Sequence, residues 1–110
     1  MKESELLTYA ITCLKKSGLV WWRVTNAPSL FTRAGKTMFR PSPIKGFPDL
    51  AGVFPSGKFW AIELKVAKGR LSPEQTDWIT RLNMSGAMAV VLRSKEEIAE
   101  FIAAAVHVKK

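Results

Sequence analysis

The chain has 110 residues and carries 17 Lys and Arg against 9 Asp and Glu, a formal net charge of +8. It is therefore expected to form one domain, residues 1–110, with a modest core and a polyanionic partner. No apolar run is long enough to span a bilayer, and "MKESELL" is too acidic and polar for a signal peptide, so a cytoplasmic protein is expected. With one Cys, Cys13, and one His, His107, an internal disulfide and a Cys/His zinc cluster are both excluded within the chain.

Residues 3–16 read as a helix, with Leu6, Leu7, Ala10, Ile11 and Leu14 at helical spacing and Gly18 as the stop. Cys13 falls inside that pattern and is expected to be a buried small apolar residue. A strand over 20–25 follows. The stretch 26–46, "NAPSLFTRAGKTMFRPSPIKG", holds three Pro and two Gly and reads as a long loop, with room for a short hairpin around Ala34-Gly35. So long a loop in so small a domain points to binding. From Leu6 to Pro48 there are seven cations (Lys15, Lys16, Arg23, Arg33, Lys36, Arg40, Lys45) and no Asp or Glu, while the rest of the chain is almost balanced. Trp21, Trp22, Phe31 and Phe39 are interleaved with these cations, a pattern that suits phosphate contact and base stacking and equally suits core packing.

"GFPDLAGVFPSGKF" and "FWAIELKV" read as two arms of a hairpin joined at Pro55-Ser56-Gly57, with Phe54 closing against Lys58. Counting outward sets Val53 opposite Phe59, Ala51 opposite Ala61 and Asp49 opposite Glu63. Asp49, Glu63 and Lys65 then share a face at one end of the hairpin, above the small Ala51 and Ala61. Glu63 and Lys65 taken alone are what any half-covered strand shows. Two opposed carboxylates, however, repel unless a proton or a cation lies between them, and a hard divalent cation such as Mg²⁺ is the common solution in phosphate chemistry. A register slip of one residue would undo the arrangement.

Ser72-Pro73-Glu74-Gln75 has the form of a helix start with a capping box. It opens a helix over 73–84 whose Trp78, Ile79 and Leu82 are expected to face inward. "AMAVVL", residues 87–92, reads as a buried strand, and Ser94 caps a helix over 95–105. The order is α-β-β-β-α-β-α. The link from Lys65 to Ala87 is a crossover, so the strands it joins should be parallel in a mixed sheet with helices on both faces.

Gly46-Phe47-Pro48-Asp49, Glu63-Leu64-Lys65 and Leu71-Ser72-Pro73-Glu74-Gln75, in this order and spacing, resemble the signature of the VRR-Nuc family within the PD-(D/E)XK nucleases. The resemblance runs from near the start to about Ser94. It implies the α/β restriction-endonuclease-like fold and a nuclease that hydrolyses phosphodiester bonds. By the same resemblance, Asp49 and Glu63 bind Mg²⁺ or Mn²⁺, Lys65 positions or activates the attacking water, and Gln75 supports the site. An acid on the first helix completes the metal shell; Glu3 matches the family's spacing, Glu5 is a rival one turn away, and either also suits the helix dipole. Short family members resemble phage and prophage proteins related to Holliday-junction resolvases, which implies branched or structured DNA and a homodimer. The candidate nucleic-acid contacts are Arg23, Arg33, Lys36, Arg40, Lys45, Lys68 and Arg70. A catalytically silent nucleic-acid-binding module with the same fold, and a basic RNA-binding or regulatory protein, are the alternatives.

Overall fold

The computed structural model describes residues 1–25 and 27–107; Asn26 of the predicted loop and residues 108–110 of the tail lie outside the described residues. In chain order the elements are α1 (Glu3–Ser17), β1 (Val20–Arg23), β2 (Ser29–Arg33), β3 (Lys36–Arg40), β4 (Leu50–Val53), β5 (Phe59–Leu64), α2 (Pro73–Met84), β6 (Met88–Leu92) and α3 (Lys95–Ala105). The α-β-β-β-α-β-α order is present, with the β2–β3 hairpin inserted between the first two strands of the sheet. No helix is long and apolar enough to cross a membrane.

Four strands form a mixed sheet in the order β1-β4-β5-β6. β4 pairs antiparallel with β1 and β5, and β5 pairs parallel with β6, the two ends of the α2 crossover. The turn at Pro55-Ser56-Gly57 sets the expected register: Val53 faces Phe59, Ala51 faces Ala61, and Phe54 N donates to Lys58 O at 2.8 Å.

One face of the sheet is sealed by α1 and α3. Leu6, Ala10 and Leu14 recur every four residues along α1 and are fully buried with Ile98, Ile102 and Ala105 of α3. Trp60, Ile62 and Leu64 alternate along β5 into the same core. Trp60 meets Phe54 and Phe101 at ring-centroid separations of 6.5 and 6.0 Å.

The other face is covered only in part, and here several expectations fail. The twelve residues of α2 include none that is buried, and Trp78, Ile79 and Leu82 are half-buried rather than inward. The helix lies along β6, which is an edge strand, so Met88 is exposed and Val90 and Val91 are half-buried. Cys13 is half-buried at the border of the core. The stretch 26–46 is loop over only part of its length: ten of its residues pair as β2 and β3, a hairpin turning at Ala34-Gly35 where the sequence left room for one.

Candidate active site

Segment 44–48 is clamped to the start of α2, and that clamp delivers Asp49. Trp78 Nε1 donates to Lys45 O at 3.1 Å, Phe47 packs edge-on to the Trp78 ring at 5.0 Å, and Pro48 is buried. Gly46, at φ +84, passes so close to α2 that a Cβ would lie 2.6 Å from Glu74 Cβ and 2.8 Å from Gln75 N. Asp49 then leaves the β4–β5 ladder by one residue. Its carbonyl still accepts from Val24 N at 2.9 Å, while its Oδ2 takes over the ladder's role and accepts from Leu64 N at 2.8 Å.

Glu63, on the neighbouring strand, is 2 % exposed and is the buried charged residue among those described. Burial, and then the charge of Asp49, push its carboxyl up to about 8, against an opposing pull from Lys65. Asp49 is also raised, again first by burial, with the Leu64 N–H holding it back. Without a cation, therefore, the two carboxyls together hold a proton more tightly than separate acids would.

Lys65 Nζ lies 4.0 Å from Glu63 Oε2 and 3.9 Å from Glu3 Oε1, its side chain 14 % exposed. Glu3 thus reaches the cluster from the first turn of α1. Glu5 lines a separate hollow with Ser4, Thr8, Tyr9, Thr12 and Lys95. Gln75 combines the two roles that the sequence leaves in competition. Its backbone N donates to Ser72 Oγ at 3.1 Å, its Oε1 accepts from Ser72 N at 2.8 Å, and its Nε2 still donates to Glu63 Oε2 at 3.2 Å. The structure therefore brings together Asp49, Glu63, Lys65, Gln75 and Glu3, and leaves Glu5 outside.

The basic candidates divide by position. Arg23 pairs with Leu50, one residue from Asp49. Lys68 and Arg70 follow the end of β5, where Arg93 Nη1 donates to Val66 O at 3.0 Å and to Gly69 O at 2.7 Å. Arg33, Lys36 and Arg40 stand on the β2–β3 hairpin, and Lys45 is exposed in the clamped segment. Sequence reasoning missed Arg93 and Trp78 as supports. The parallel pairing of Leu64 with Leu92 is the signal that sets Arg93 beside Lys65.

Among the described residues no three His, Cys, Asp or Glu side chains form a ready metal cage. The donors that converge are two carboxylates, hard oxygen ligands that suit a divalent cation completed by water and phosphate oxygens. Two adjacent carboxylates, one buried and one half-buried, that both hold their protons more tightly than free acids are a fitting place for one, because the cation replaces the proton. Asp49 and Glu63 are the residues that would hold it, with Glu3 nearby.

A family model described as the VRR-NUC domain matches residues 2–96, taking in all five clustered residues and leaving most of α3 outside. No curated protein and no solved structure matches the chain. VRR-NUC domains lie within the PD-(D/E)XK nuclease superfamily, and the mixed sheet flanked by three helices is consistent with that fold.

Proposed function

The chain belongs to the VRR-NUC family, a nuclease-type domain, and from that premise we propose that it is a Mg²⁺- or Mn²⁺-dependent endodeoxyribonuclease. The observation that carries the reading is the pairing of buried Glu63 with half-buried Asp49, with Lys65 4.0 Å from Glu63. A structural ion pair has no use for a second carboxylate that raises the first one's proton affinity.

Hydrolysis requires water oxygen to bond to phosphorus as the ester P–O bond breaks, the water giving up a proton and the departing alkoxide gaining one. A divalent cation on the carboxylates would neutralise the phosphate and acidify water. Lys65 supplies a fixed positive charge to the non-bridging oxygens as negative charge grows there, and holds the attacking water in line. Its partial burial strengthens that interaction relative to bulk water. Gln75 holds Glu63 in one rotamer, and the Leu64 N–H holds Asp49, so both carboxylates are set before DNA arrives.

We extend the proposal to branched or structured DNA cut by a homodimer in a cytoplasmic setting. Its support is the resemblance to short family members and the concentration of positive charge before Asp49. Exposed Met84 and Met88 beside the edge strand offer an apolar surface that a second copy would cover.

The test is cleavage of a panel of duplex, single strand, flap and four-way junction with Mg²⁺ or Mn²⁺, using wild type, Asp49→Asn and Glu63→Gln. Both variants should lose cleavage and retain DNA binding. Chelator-resistant binding without cleavage by wild type would identify a silent module, and turnover by both variants would overturn the site.

A further inference from the structure

The β2–β3 hairpin has two unlike faces. The register pairs Ser29 with Arg40, Leu30 with Phe39, Phe31 with Met38, Thr32 with Thr37 and Arg33 with Lys36. Opposed residues share a face and alternate rows change face. One side therefore carries Arg33, Lys36 and Arg40 around Phe31 and Met38, with the Arg40 guanidinium 4.6 Å from the Phe31 ring centroid. The other carries Leu30 and Phe39 above two threonines. Leu30 is 72 % and Phe39 62 % exposed.

The ribbon is joined through the chain, at both ends, to segments of the site. Its first strand follows β1, where Val24 N bonds Asp49 O, and its second leads through segment 41–48 to Asp49. Ala34 and Gly35 form a two-residue turn with φ 53 and 76, the left-handed pair that matches strand twist in tight hairpins. Each arm spans about 17 Å, and a two-stranded ribbon fits a duplex groove about 12 Å wide.

We propose that the hairpin is a two-faced DNA probe: the Arg33, Lys36 and Arg40 face tracks the phosphates beside the cleaved bond, while Leu30 and Phe39 stack on the base pair left bare where a duplex branches or ends. The inference rests on the nuclease reading and adds to it how the substrate's shape is recognised. Phosphates cannot cover the apolar face, but the flat surface of a terminal base pair can. A second copy packed there would leave the three cations of each ribbon facing outward; the base pair is favoured because those cations, with no acidic residue between Leu6 and Pro48 to offset them, already draw nucleic acid to the ribbon.

The experiment measures affinity in chelator for a linear duplex and a four-way junction of equal length, at several salt concentrations, with 2-aminopurine beside the branch. Wild type should prefer the junction and change the 2-aminopurine emission. Leu30→Ala/Phe39→Ala should lose that preference about tenfold or more and the emission change, with the salt slope intact; Phe39→Trp, which keeps a stacking surface, should retain both. Arg33→Ala/Lys36→Ala/Arg40→Ala should weaken both DNAs and flatten the slope by about 0.9 per lost contact. Unchanged junction preference in the Leu30/Phe39 variant overturns the proposal. So does loss of a dimer in light scattering, which would assign that face to a second copy. Metal-dependent cleavage by wild type, run separately, tests the nuclease reading, so the two can fail independently.

Discussion

Gln75 Nε2 reaches Glu63 Oε2 at 3.2 Å while the same side chain's Oε1 caps α2 through Ser72 N. An amide has an acceptor end and a donor end, so one residue both starts the helix and steadies a buried carboxylate. Gln75→Ala should cost about 1–2 kcal/mol through loss of the cap and of the bond to Glu63. Gln75→Glu keeps an oxygen for Ser72 N but sets a third carboxylate beside Asp49 and Glu63. It should melt below wild type at pH 8 without metal, and Mn²⁺ should narrow that gap. Equal Mn²⁺ shifts in the two proteins would show that Gln75 does not touch the site.

The proton on the acid pair makes metal-free stability depend on pH. Glu63 in the folded chain titrates near 8, above its ordinary value of 4.5, so between those values the native state binds a proton that the unfolded chain releases. Stability should therefore fall as pH rises through about 4.5 to 8, by up to the order of 5 kcal/mol. The raised Asp49 acts in the same direction. Urea melts across that range should show the slope in wild type, a flatter one in Glu63→Gln, and little in saturating Mg²⁺. A rise in wild-type stability across the window would contradict a protonated pair.

Lys65 is the cation that offsets this cost, and it is also placed to act on phosphate. Lys65→Met should lower kcat by about 10²–10³, the scale of losing one fixed charge at a transition state, with a change of less than about tenfold in DNA affinity. It should also push the Glu63 titration higher, because Lys65 now lowers it. A variant with unchanged kcat and weakened binding would make Lys65 a phosphate anchor only.

The acid pair was legible in the sequence because a short turn propagates its register without error over five residues to Glu63. Asp49 was harder: its placement beyond the ladder depends on a side chain replacing a backbone acceptor, which alternation cannot show. The hairpin over 29–40 was read mainly as loop, since Pro28, Pro41, Pro43 and Gly35 dominate the stretch and its strands bury neither face. The inward-facing expectation for α2 failed for a related reason, because periodicity marks an apolar stripe and not how fully it is covered. Arg93 is invisible locally; only the pairing of β6 with β5, formed across the α2 crossover, sets it at the end of the Lys65 strand.

Gly46 provides the sharpest test that the clamp on α2 positions Asp49, because Gly57 serves as its control. Both glycines have left-handed backbones, φ +84 and +93, so an alanine at either carries a similar conformational penalty of about 1 kcal/mol. The surroundings differ: a Cβ at Gly57 meets nothing within 4 Å, whereas at Gly46 it would press on Glu74 and the backbone N of Gln75. Gly57→Ala should thus lower stability by about 1 kcal/mol and leave cleavage intact. Gly46→Ala should cost at least about 2 kcal/mol more, since backbone rather than a flexible side chain must yield. The movement separates segment 44–48 from α2, and with it Asp49 from a Glu63 that Gln75 still holds. Its Mn²⁺-induced rise in melting temperature should then be smaller than that of Gly57→Ala. If the two variants respond equally to Mn²⁺ while Gly46→Ala is merely less stable, the clamp supports the fold without setting the carboxylates.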